Sequence, residues 1–290
     1  MGILYNYWAK PREAMPTKRK EERYEVDPID GLRRELVGSW AQEKHQRLRH
    51  YVDISHAARR KFGGNSTFID MYCGPGRARV KSSGNIISGS AVAAATEAAR
   101  HSRFGKIYIA DLDATNVEHC GSRLAQEQIQ PVFTHVGAAE ATAKLICKQL
   151  SPSGLHLAFL DPYNIQALPF SVVQTLAELP RMDLLIHVST MDLQRNVRAF
   201  MANGKLEQFA PGWCDHVDPA ARNDVALLSV FHHWCNLIRD LGYEDVGDLV
   251  ERVSGAKNQP LYWLVLASKN KLGKEFWAKV SNVGPQQRLL

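Results

Sequence analysis

The sequence predicts an α/β fold, a doubly wound, mostly parallel sheet with a terminal antiparallel hairpin and an N-terminal helical extension. Three observations carry this expectation. Short apolar, β-branched runs alternate with helical stretches through the middle of the chain. Two further runs near the C-terminus stand too close together for a helical crossover. Ahead of the first run, apolar residues recur at helical rather than strand spacing.

In chain order, residues 1–30 mix charged residues with Pro11, Pro16 and Pro28 and show no periodicity, so they read as an arm. Residues 31–62 form a helical segment, because Leu32, Leu36, Trp40, Leu48, Tyr51, Val52 and Ala58 keep i/i+3/i+4 spacing before Gly63-Gly64. Residues 63–284 form the α/β domain. Its expected buried strands are 67–72, 106–110, 132–136, 155–160 and 184–188, with helices over 89–101, 114–126, 138–150, 170–179 and 192–202. Right-handed crossovers then give a parallel sheet. A longer helix over about 219–241 carries Val225, Leu228, Phe231, Trp234, Leu237 and Ile238 on one face. The last two strands, about 246–253 and 261–268, are forced antiparallel by a short link. That outline is the class I S-adenosylmethionine (SAM) methyltransferase fold.

The chain has 290 residues, 45% hydrophobic and 23% charged, which excludes a disordered or collagen-like protein. Its 36 lysines and arginines against 30 acids leave a net charge of +6. Residues 1–60 hold thirteen of the bases and nine of the acids, an excess compatible with a nucleic-acid partner and equally with a metabolic enzyme. Five cysteines with no Cys-x-x-Cys pair argue against a disulfide scaffold and a zinc site, so no metal is expected. No apolar run reaches the roughly 20 residues of a bilayer span, and the N-terminus lacks a signal-peptide core. A cytoplasmic protein is expected.

The chemistry-bearing residues cluster at predicted strand ends. The first strand runs Phe68-Ile69-Asp70 and then into Met71-Tyr72-Cys73-Gly74-Pro75-Gly76, an acid followed by a glycine turn of the kind that lets a cofactor approach the backbone. The second closes on Asp111, a carboxylate placed to accept both ribose hydroxyls, while Asp113 reads as the next helix cap. Between them, Arg77, Arg79 and Lys81 form an inserted basic loop that either contacts phosphate or is simply solvated. The fourth strand ends Asp161-Pro162-Tyr163-Asn164. A carboxylate, a carbonyl and an aromatic face can hold an exocyclic amine, as in the Asp-Pro-Pro-Tyr motif of amino-methylating enzymes, here one proline short. Asp161 has two other readings, cofactor contact and turn cap. After the fifth strand, Asp192, Arg195 and Asn196 read either as a substrate rim or as a helix cap with its exposed face.

These residues resemble the three-Cys-motif partner family, bacterial and phage-associated proteins. The matching pieces are Trp40-x-x-Glu43-Lys44-His45, Asp70-x-x-x-Gly74-Pro75-Gly76-Arg77, Gly89-Ser90, Asp161-Pro162-Tyr163, Asp192-x-x-Arg195-Asn196, Pro260-x-Tyr262 and Phe276-Trp277. The resemblance implies a SAM-methyltransferase-like fold and a separate radical-SAM-like or iron–sulfur partner bearing three clustered cysteines. The third strand departs from ordinary SAM enzymes. It runs into Gly137-Ala-Ala-Glu140 with no Asp directly after the glycine, leaving Glu140 as the acid available to an adenine amine. The expected function is therefore SAM-dependent methyl transfer, to nucleic acid and with the three-cysteine partner. Asp161 and Tyr163 are the expected catalytic residues, and Asp70, Gly74, Gly76, Asp111 and Glu140 the cofactor ligands. A non-catalytic scaffold that positions the partner is the alternative.

Overall fold

The computed structural model describes residues 23–247, 250–254 and 260–281. The first 22 residues of the expected arm, the link at 255–259 and the end of the domain after 281 lie outside the described residues. The chain opens with β1 (Tyr24–Val26), β2 (Arg33–Val37), α1 (Trp40–Ile54) and α2 (His56–Lys61). The repeating part follows: β3 (Ser66–Asp70), β4 (Arg77–Val80), β5 (Ile86–Ser88), α3 (Ser90–Ala99), β6 (Lys106–Asp111), α4 (Ala114–Gln126), β7 (Val132–Val136) and α5 (Ala139–Cys147). It continues with β8 (Leu155–Leu160), α6 (Phe170–Ala177), β9 (Met182–Ser189), α7 (Thr190–Ala202), α8 (Leu206–Phe209) and α9 (Asn223–Asp240), and closes with β10 (Val250–Ser254), β11 (Pro260–Ala267) and α10 (Lys271–Ser281).

Seven strands form one sheet in the order β10-β11-β9-β8-β3-β6-β7. Its inner pairs are parallel, and β11 runs antiparallel to both β9 and β10. The predicted fold class, a mostly parallel α/β sheet closed by an antiparallel hairpin, is thus the observed one. All five residues of β3 are buried, as a central strand covered on both faces requires. Its side chains alternate: Ile69 joins a core beneath α5, α6, α7 and α9, and Phe68 joins a second beneath α1, α3, α4 and α10. Trp234 and Trp277 are fully buried in these two layers.

The N-terminal region differs from the helix expected over 31–62. Helix begins only at Trp40; before it, β1 and β2 form a hairpin that joins β4 and β5 in a second, four-stranded sheet. Helical spacing of Leu32 and Leu36 is overridden by tertiary pairing, with β2 parallel to β4 and Glu35 opposite Ala78. Ion pairs fasten the hairpin down. Arg79 makes a two-pronged contact with Glu25 at 2.6 and 2.8 Å. Arg77 reaches Asp27 and Asp30 at 3.0 and 2.9 Å, and Arg123 of α4 donates to both oxygens of Asp30 at 2.9 Å. Among the described residues no helix is long and apolar enough to cross a membrane, and no cluster of metal-ligating side chains occurs.

Candidate active site

The parallel strands point their carboxyl ends at one edge of the sheet, where the crevice of such folds lies. β3 delivers Asp70, which is fully buried. Its Oδ1 accepts from the Tyr72 amide at 3.1 Å and its Oδ2 from the Ser90 hydroxyl at 2.5 Å. Burial pushes its pKa up to about 7. The next turn places Gly74 and Gly76 at φ of +54° and +81°, a region that favours glycine. The two differ in role. A Cβ on Gly76 would come within 3.0 Å of the Cys120 backbone on α4, so this glycine lets the turn pack on the helix. A Cβ on Gly74 would meet only Glu35, with Oε2 at 3.6 Å.

Asp111, at the end of β6, holds that turn in place. Its Oδ2 accepts the Gly74 amide at 3.0 Å and its Oδ1 the Asp113 amide at 2.9 Å. A carboxylate has about four lone-pair sites, so two remain for a ligand. Asp113 caps α4 as expected, accepting from Thr115 at 3.0 Å. Beside Asp111, the large apolar side chains of Leu112 and Val136 are exposed, 76% and 56%, at the ends of β6 and β7. Two exposed aliphatics flanking a carboxylate suit a flat heterocycle on a ribose. Sequence reading passed over them, although an apolar residue directly after a strand-terminal acid was a visible signal. Glu140 turns elsewhere: it accepts from Ser171 and so ties α5 to α6.

Asp161 sits past β8, and it is not a free carboxylate. Lys44 of α1 places its ammonium 2.6 Å from each of its oxygens, and His187 Nδ1 of β9 lies 3.3 Å from Oδ1. Burial would raise the Asp161 pKa, but the Lys44 ammonium outweighs it and holds the carboxyl below its usual range. Burial together with Lys44 pushes His187 down to about 3, and likewise lowers His45, whose Nδ1 contacts the Ser88 carbonyl at 3.0 Å, to about 4. The site thus holds an ionised acid, a cation and two neutral imidazoles. Lys44 and His187 were not singled out from the sequence as site residues. Lys44 had a signal, since it occupies the buried stripe of α1 with Ala41, Leu48, Tyr51 and Val52, where a lysine needs a partner.

Tyr163 is 72% exposed at the mouth, with the Arg23 guanidinium 4.3 Å from its ring centre. Asp192 backs the same loop. Its Oδ2 accepts the Ile165 amide at 3.0 Å and its Oδ1 the Asn196 amide group at 2.8 Å. The N-cap of α7 is Ser189, which accepts from the Asp192 amide at 3.2 Å. Asp192 and Asn196 therefore position the Asp161-Pro162-Tyr163 loop, and Arg195 faces solvent. Arg77 and Arg79, expected in a basic loop at the mouth, are instead strand residues matched to carboxylates of the hairpin; only Lys81 of that set is exposed. The reason is spatial. The hairpin that carries Glu25, Asp27 and Asp30 lies too far away in sequence for its charges to be paired by inspection.

The buried imidazole of His187 sets a pH dependence. The folded pKa of His187, about 3, is below its ordinary 6.5, so the unfolded chain binds the extra proton and stability is lost as pH falls through that window. Asp70 and Asp183, whose pKa values burial raises to about 7 and about 6, act with the opposite sign. A difference measurement isolates the histidine. Between pH 4.5 and 6, His187→Gln is expected to reduce the pH slope of unfolding free energy by about 1 kcal/mol per pH unit. Urea denaturation of both proteins across that range checks this, and equal slopes would refute it.

No family model matches the sequence, and no curated protein matches it. Among solved structures, the chain is similar to TYW2 of M. jannaschii in complex with AdoMet, at 11% identity and a TM-score of 0.44 over 85% of each chain. It is also similar to an O-methyltransferase from Bacillus cereus in complex with SAH (12% identity, TM-score 0.45, 77% of this chain and 81% of that one). A third is the O-methyltransferase TomG from Streptomyces achromogenes in complex with SAM (17% identity, TM-score 0.45, 81% and 83%). What this crevice does is read from its own residues, and the resemblance to the three-Cys-motif partner family rests on sequence motifs alone.

Proposed function

We propose that the protein is a SAM-dependent methyltransferase whose acceptor is presented at Asp161-Pro162-Tyr163. The single observation that carries this reading is the Asp111 carboxylate, anchored by two backbone amides yet with acceptor sites left over, beside the glycine turn at Gly74. The residues fit the cofactor. Gly74 leaves room for close approach, Asp111 would take the ribose hydroxyls, and Leu112 and Val136 would cover the adenine. SAM, when bound, supplies a methyl group already activated on its sulfonium. The chain's task is then alignment. Asp161, kept ionised by Lys44, accepts a hydrogen from the attacking group and orients it, and Tyr163 offers a ring for stacking.

Calorimetric titration with SAM tests this. Wild-type protein is expected to bind, and Asp111→Ala to weaken binding by about 1–3 kcal/mol through lost charge-assisted hydrogen bonds. No heat from folded wild-type protein at millimolar SAM would remove the reading.

The proposal includes a nucleic-acid acceptor and a three-cysteine-motif partner. Net charge +6 supports the first, and the family resemblance supports the second. The phosphate role given to Arg77 and Arg79 is dropped, because both are ion-paired. A second reading, the non-catalytic scaffold, is favoured by one observation: the ammonium of Lys44 caps both oxygens of Asp161. SAM binding without label transfer to any acceptor would select it.

A further inference from the structure

We propose that Glu35, on the N-terminal hairpin, is a cofactor-binding residue that accepts a hydrogen bond from the α-ammonium of SAM through Oε2, with Arg23 as its positioning residue. This rests on the SAM reading above and adds a contact from outside the seven-stranded sheet.

The geometry begins with Arg23. It donates from Nε to Oε1 of Glu35 at 2.8 Å, and its Nη2 is also 2.8 Å from Oε1. Both contacts fall on one oxygen; the other, Oε2, lies 3.6 Å from where a Cβ on Gly74 would stand. The same guanidinium packs on the Tyr163 ring at 4.3 Å and lies 5.3 Å from the Tyr24 ring centre. Arg23 therefore spans from the glycine turn to the acceptor loop, and Glu35 lies on that line. In the proposed site the methyl must face Tyr163, so the amino-acid end of the cofactor is the part that passes between Gly74 and that loop. In that reading the ribose belongs to Asp111, which accepts the Gly74 amide.

Charge agrees with position. Among the described residues Asp111 has no lysine or arginine within ion-pair distance, and the second oxygen of Glu35 adds another acceptor beside Gly74. A crevice with that balance favours a cation, and the α-ammonium is the one cationic hydrogen-bond donor of SAM. The hairpin is held firmly enough to present it, through the pairs of Arg79 with Glu25, Arg77 with Asp27 and Arg33 with Asp113, the last at 3.0 Å.

The test is a thermodynamic cycle. S-adenosylhomocysteine and its desamino analogue, which differ only in the α-ammonium, are titrated into wild-type protein and Glu35→Gln. S-adenosylhomocysteine is expected to lose about tenfold in affinity on Glu35→Gln, the scale of one charge-assisted hydrogen bond. The desamino analogue is expected to bind wild type more weakly and to change less than about twofold on the substitution, since its partner group is already missing. Equal losses for both ligands would overturn the proposal and assign Glu35 to the ribose or to the fold. A desamino analogue that binds wild type as tightly as its parent would also overturn it. If neither S-adenosylhomocysteine nor SAM binds folded wild-type protein, the cofactor reading itself fails, a result distinct from both. If Glu35→Gln does not fold, Glu35→Asp, which keeps the charge but withdraws it by one methylene, carries the same comparison.

Discussion

Asp161→Asn is expected to lower the proposed methyl transfer by about 10²-fold or more while leaving SAM affinity nearly intact, the scale usual for losing a positioned proton acceptor. The substitution is nearly isosteric, but it sets an amide donor and no counter-charge against the Lys44 ammonium, so some loss of stability is expected beside the loss of transfer. What changes is the charge facing the acceptor. The assay uses tritium-labelled SAM, mixed nucleic acid and the three-cysteine partner, with unfolding and SAM titration run in parallel. Full activity in the variant would make Asp161 a structural residue, and loss of SAM affinity alone would reassign it to the cofactor. Wild-type protein that binds SAM but transfers no label under these conditions would sink the catalytic proposal and select the scaffold.

Lys44→Met is expected to destabilise the fold by about 3 kcal/mol or more, because it leaves a buried carboxylate without its cation. The side chains of Lys44 and Asp161 are 8% and 17% exposed, enough burial for the loss to be felt. Two further results follow from that cause. The deficit should shrink at low pH, since without Lys44 burial raises the Asp161 pKa and the protonated acid needs no partner. It should also shrink in the double variant Lys44→Met/Asp161→Leu, where both charges are gone. Urea denaturation at pH 5 and pH 8 measures both. A Lys44→Met deficit below about 1 kcal/mol, unchanged by pH, would show that the pair is solvent-screened and unimportant to stability.

Much of the site's frame was legible because it is written in local pattern. Asp70, Gly74 and Asp111 stand where a buried strand gives way to polar residues and glycine, and such ends gather at one edge of any doubly wound sheet. Asp161 was legible for the same reason, but its state was not. Whether it is a free acceptor or an ion pair depends on Lys44, 117 residues earlier on a helix that packs beside it. Arg77 and Arg79 show the same limit. As sequence they are a basic loop, and as structure they are the cationic halves of ion pairs.

The sequence by itself determined the order of elements, the parallel sheet with its reversed last strand, and the strand-end acids that line the crevice. Hydrophobic period and link length are short-range properties, and they suffice for these. Only the tertiary structure decided that residues 33–37 are strand, that Glu35 of the N-terminal hairpin lies against the glycine turn, that Arg23 joins Glu35 to Tyr163, and that Lys44 and His187 meet Asp161. Each of those facts is a pairing between charged or hydrogen-bonding groups distant in sequence. An ion pair carries no periodicity along the chain, and its partner is chosen only when packing brings the two groups within a few ångströms.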